Sequence, residues 1–125
     1  MRKWSNFSNT KRRESHAIGM QAEQRAKAYL QAQGLRFITQ NYRCKAGEID
    51  LIMQDNEHLV FVEVKYRSRT QFGAALEYFT PQKRRKVETT IYHYLQKVGM
   101  NAHLANYRLD LVAIDGENYQ WVKAI

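Results

Sequence analysis

The sequence predicts one α/β domain built on a mixed sheet, in the order helix, strand, two-stranded hairpin, helix, strand and short terminal strand. Three observations lead there. Apolar residues recur every four positions in two separate stretches, as in helices buried along one side. Residues 48–65 instead form two apolar runs around a short polar turn, as in paired strands. That turn is too short for a parallel crossover, so the sheet cannot be wholly parallel.

At 125 residues and 44% hydrophobic composition, the chain is long enough for one core and too short for two. The first helix is expected from His16 to about Ala32, with Ile18, Ala22, Ala26 and Leu30 on its inner stripe and Gly34 as its stop. Leu35 to Gln40 reads as a short strand, and Asn41 to Gly47 as a polar loop. The hairpin pairs 48–53 with 59–65. If its centre lies between Asn56 and Glu57, equal steps outward set Asp50 opposite Glu63 and Glu48 opposite Lys65.

Thr80 followed by Pro81 has the form of a helix cap with proline in the first helical position, where its missing amide proton costs no bond. Val87, Ile91 and Leu95 then supply an inward stripe, with Val98 as its extension and Gly99 as terminator. Tyr107 to Ile114 forms the next strand, and a turn at Asp115 and Gly116 leads into a final strand containing Trp121. Arg108 and Asp110 alternate on one face, as a structural ion pair would.

The 20 Lys and Arg against 12 acidic residues leave a net charge of +8, which favours a polyanionic partner. A nucleic acid and an anionic membrane surface both satisfy charge alone; the lack of a membrane-binding amphipathic pattern disfavours the second. Residues 1–15 are expected to form a flexible basic arm, either a solvated terminus or a phosphate contact, ahead of a domain at 16–125. The single cysteine, Cys44, excludes an internal disulfide. With no run of about twenty apolar residues and no secretion signal, a soluble cytoplasmic protein is expected. Glycine-rich dinucleotide and phosphate loops are absent, and His16, His58, His93 and His103 have no metal-ligand spacing.

Asp50, Glu63 and Lys65 carry the chemistry. Two carboxylates facing one another repel unless protonated, paired with cations or gathered around a metal. Mg²⁺ or Mn²⁺ suits hard oxygen ligands such as Asp50, Glu63 and the main-chain oxygen of Val64. Lys65 shares the face of Glu63 and could orient water or stabilise charge on a phosphate. An ordinary solvated ionic face has the same spacing. Against it stands the apolar company of Phe61, Val62 and Val64, which suggests a lined cleft.

The residues Gly19, Ala22 and Glu23, then Asn41-Tyr42-Arg43, Gly47-Glu48-Ile49-Asp50-Leu51-Ile52 and Val60-Phe61-Val62-Glu63-Val64-Lys65, followed by Gly73, Lys83 and Arg108-Leu109-Asp110, closely resemble the YraN family of small bacterial proteins. That family is grouped with the restriction-endonuclease-like PD-(D/E)xK fold, near archaeal Holliday junction resolvases. The resemblance implies that Asp50 and Glu63 are metal-binding acids, Lys65 the motif lysine and Glu23 an accessory acid. Ile49, where the literal pattern has proline, is a departure frequent in this superfamily. The implied activity is a metal-dependent DNA endonuclease, with branched or recombination DNA as substrate and a homodimer where two strands must be cut.

The run Lys83-Arg84-Arg85-Lys86 opens the second helix, where positive charge does not complement the dipole. With Arg43, Arg67 and Arg69 it forms either a solvated face or a basic wall for successive phosphates, beside which Tyr42 could stack. A nucleic-acid-binding protein that keeps the fold without catalysis is the alternative reading.

Overall fold

The computed structural model describes the main chain at 2–67 and 79–125, and side chains at 17–66 and 79–125. The elements are α1 (Arg2–Ala32), β1 (Arg36–Cys44), β2 (Gly47–Asp55), β3 (His58–Arg67), α2 (Pro81–Lys97), β4 (Tyr107–Asp115) and β5 (Asn118–Val122). The strands form one sheet in the order β1-β2-β3-β4-β5. Among the described residues only β3 and β4 pair in parallel, and α2 lies in the connection between them. The expected mixed sheet with flanking helices is therefore present.

Both helices end as their glycines predict. Leu35 N–H donates to Leu30 C=O and Gly34 N–H to Gln31 C=O, each at 3.0 Å, with Gly34 at φ 101°. The same pair of bonds closes α2 through Met100 to Leu95 and Gly99 to Gln96. At its start, Thr80 accepts from Lys83 N–H at 3.2 Å.

α1 begins at Arg2, not His16, so the boundary expected at residue 16 does not coincide with a helix start. Its buried stripe is Ala22, Ala26 and Leu30; Ile18 precedes the sheet's cover and is 48% exposed. Val98 is the C-cap of α2 and 47% exposed, while Tyr94 joins Val87, Ile91 and Leu95 in the core. β1 runs through Cys44, taking in most of the expected loop, because pairing with β2 down to Cys44↔Gly47 supplies the hydrogen bonds that polar residues 41–44 would otherwise seek in water.

Each face of the sheet has its own core. Ala22, Ala26 and Leu30 of α1 pack with Leu51, Met53, Val60, Val62, Val112 and Ile114. On the other face Val87, Ile91, Tyr94 and Leu95 of α2 meet Ile49, Ile52, Leu59, Phe61 and Leu109. Among the described residues, no helix is long and apolar enough to cross a membrane.

Candidate functional site

Strand alternation positions the two acids differently. On β3, Leu59 and Phe61 face α2, so Glu63 and Lys65 follow them, while Val64 follows Val60 and Val62 toward α1. On β2 the alternation slips: Ile49 packs beneath α2 but Leu51 beneath α1, although residues two apart in a regular strand share a face. Asp50 sits at that slip. Across β1 the register passes from Gln40↔Leu51 to Tyr42↔Ile49, which sets Asn41 facing Asp50, with Asn41 in the left-handed region at φ 54°.

The β2–β3 ladder runs from Asp55↔His58 to Leu51↔Val62, so the hairpin has the expected centre. One step further the strands part, and Asp50 Oδ2 accepts the Val64 N–H at 2.8 Å. A side chain thus caps an amide that the ladder no longer serves. Beside it, Glu63 Oε1 is buried and without a hydrogen-bond partner.

Both carboxyls are strongly perturbed. Burial raises Asp50 to about 7, aided by the charges of Glu23 and Glu48 and opposed by the Val64 hydrogen bond. Burial first, then the Asp50 charge, pushes Glu63 well above the ordinary carboxylate range. Two acids that disfavour one another's ionisation are held within a few residues of bonded strand.

Glu23 is half-buried one position beyond Ala22 on α1, close enough to Asp50 to share a hydrogen bond with it. Its helix therefore brings it toward the sheet and not into open solvent. Glu48 Oε2 accepts from Arg43 Nε at 3.0 Å, so this acid is occupied by a cation of its own strand pair. Among the described residues, no three His, Cys, Asp or Glu side chains by themselves form a group that could hold a metal ion. Asp50 and Glu63 bring a pair of carboxylate oxygen donors to the fork.

A cavity of about 300 Å³ opens on the α2 side, lined among others by Glu48, Glu63, Lys65, Phe79, Lys83 and Lys86. Two carboxylates, Glu48 and Glu63, thus share its wall with three lysines. Lys65 is the expected neighbour of Glu63, Lys83 and Lys86 belong to the expected basic run, and Phe79, which carried no signal in the sequence, completes the wall. Gly47 lies under α2, where an added Cβ would come within 3.5 Å of Thr90 Oγ1.

The other basic candidates disperse. Arg84 donates to the Ile125 carbonyl at 2.9 Å, with its guanidinium 5.2 Å from the Phe79 ring centre. Tyr42 packs edge-on to Tyr94 and bonds His93 Nδ1 through its hydroxyl at 2.5 Å. Arg43 is largely exposed while pairing Glu48. The main chain of Arg67 closes β3 opposite Asp115, and Arg69 lies outside the described residues.

A five-stranded mixed sheet covered by a helix on each face, with an acidic fork between its second and third strands opening toward a basic helix, defines the class of this protein. Its residues 22–114 match the model of the uncharacterised protein family UPF0102, and the chain belongs to that family. It is 47% identical over 109 residues to a UPF0102 protein of Nitrosococcus oceani, covering 84% of this chain and 87% of that one. A UPF0102 protein of Vibrio parahaemolyticus is 50% identical over 109 residues, covering 85% and 88%, respectively. One from Colwellia psychrerythraea is 41% identical over 124 residues, 96% of both chains.

Proposed function

We propose that this protein is a divalent-cation-dependent DNA endonuclease of the PD-(D/E)xK type, hydrolysing phosphodiester bonds at the fork of β2 and β3. The observation that carries the reading is the pairing of a buried, partnerless Glu63 oxygen with an Asp50 carboxyl that burial raises to about 7. Such a pair is uncomfortable alone and well matched to a dication. The fold and the family membership support a nuclease-like function in the same direction.

The residues present fit the cation the reading requires. Asp50, Glu63 and the Val64 carbonyl would hold it, with Glu23 reaching it through water. What Mg²⁺ or Mn²⁺ supplies when bound is neutralisation of phosphate charge and a lowered pKa for water. Lys65, in the same cavity wall as Glu63, stabilises the charge that develops on the phosphate or takes part in proton transfer at the attacking water. Lys83 and Lys86 seat neighbouring phosphates, with Arg43, Arg67, Arg69 and Tyr42 as further contacts along the strand. Branched DNA is the preferred substrate by the family resemblance, and a homodimer would supply a second site for the opposing strand.

The test is cleavage of duplex, single-stranded, flapped and four-way DNA in Mg²⁺ or Mn²⁺ by the wild-type chain and by Asp50→Ala, Glu63→Ala and Lys65→Ala. Loss of cutting in all three, with folding retained, supports the reading. DNA binding without cleavage of any substrate would instead favour a noncatalytic binding protein on the same fold.

A further inference from the structure

The Asn41 side chain lies between two acids that come from different elements. Turned so that its NH₂ and not its oxygen meets them, the orientation that avoids setting acceptor against acceptor, its amide donates to Glu23 Oε1 at 2.9 Å and to Glu48 Oε2 at 3.2 Å. Glu23 belongs to α1 and Glu48 to β2. One amide therefore ties the helix to the sheet across the position that faces Asp50. Glu48 Oε2 receives a second donor, Arg43 Nε at 3.0 Å, so the amide is anchored at a carboxylate that is itself fixed.

We infer that Asn41 is a positioning residue of the acidic site: its amide draws Glu23 inward from α1, holding that carboxylate beside Asp50. Without the bridge no donor stands between the like charges of Glu23 and Glu48, and with Glu48 held by Arg43 it is Glu23 that gains by moving away. Asn suits the place twice over. It tolerates the left-handed backbone at φ 54°, and it brings two N–H donors where aspartate, its nearest relative in shape, would bring a further negative charge.

The inference rests on the proposed cation site, and the two can be separated. Asn41→Gly keeps the left-handed backbone at no steric cost and removes the amide. Asn41→Asp keeps the shape and replaces donors with acceptors. Mn²⁺ binding to the full chain, followed by calorimetry, is expected to weaken about tenfold in both, the usual size of an effect on ligand support. On a Glu23→Gln background, Asn41→Gly is expected to weaken Mn²⁺ binding no further, because the amide acts through that carboxylate. Wild-type affinity in a folded Asn41→Gly chain would overturn the inference.

If the wild-type chain binds Mn²⁺ no better than Asp50→Ala, the cation site itself fails. The side-chain ¹⁵N–¹H signals of Asn41 then decide positioning alone. Glu23→Ala and Glu48→Ala should each shift them, and signals unmoved by either variant would overturn it.

Discussion

Asp50 Oδ2 accepts the Val64 main-chain N–H at 2.8 Å, just beyond the last β2–β3 pair, Leu51↔Val62. The bond couples a strand fork to a carboxylate. It holds Asp50 against β3 at the height of Glu63, which the backbone ladder alone would not do once the strands separate. Stability and chemistry are consequently linked at this point.

Burial raises Asp50 from 3.8 to about 7 and Glu63 in the same direction. In that interval the folded chain holds protons that the unfolded chain has released, so stability is greatest at the acid end and is lost as pH rises through the folded values. In EDTA the thermal midpoint is expected to fall between about pH 5 and pH 8, by an amount on the order of 2 kcal/mol in stability. Asp50→Asn should flatten the profile and exceed wild type at the alkaline end. Mg²⁺, binding only the folded and ionised pair, should raise the midpoint more at pH 8 than at pH 5. A midpoint indifferent to pH would contradict this account of the pair.

Lys65→Met separates cation binding from turnover. Removal of a positive charge from the wall shared with Glu63 leaves the carboxylates free to hold Mn²⁺ at least as tightly. Cleavage should nevertheless fall by roughly 10²-fold or more, the range associated with a positioned proton-transfer or electrostatic group. Equal losses of Mn²⁺ affinity and rate would move Lys65 from chemistry to scaffolding.

Asp110 is fully buried and accepts from Arg108 Nε at 3.1 Å, Trp121 Nε1 at 2.9 Å and Ala124 N–H at 2.9 Å. Arg108 also reaches Asp55 Oδ2 at 2.9 Å. Asp110→Ala would remove the buried acceptor of three part-buried donors and is expected to cost about 3 kcal/mol, read from urea denaturation. A change below about 1 kcal/mol would show that water replaces the carboxylate.

The basic run on α2 is expected to divide by role. Lys83→Ala and Lys86→Ala should each reduce the salt slope of DNA binding by about 0.9, the release of one counterion. Arg84→Ala should instead lower stability through the lost bond to the Ile125 carbonyl, leaving the slope nearly unchanged. A full unit of slope lost with Arg84 would place its guanidinium on phosphate.

The hairpin was legible because its register needs only a turn centre and a period of two: counting outward from Asn56 and Glu57 brings Leu51 to Val62, as observed. The caps at Thr80, Gly34 and Gly99 are likewise local chemistry. Helix extent was less legible. Ile18 fits the four-residue spacing yet lies exposed, since periodicity cannot say how far the sheet beneath a helix extends. Nor does β1 advertise its second half, where polar residues become strand through pairing with β2.

The sequence by itself determined the element order, the mixed sheet and the nearness of Asp50 to Glu63, all of which follow from short-range periods and turns. Tertiary structure alone decided that Asn41 bridges Glu23 to Glu48, and that Arg84 turns to Ile125 while Lys83 and Lys86 line the cleft. These placements depend on the rotation and seating of helices against the sheet. That seating is set by side-chain packing between residues distant in the chain, which no local pattern encodes.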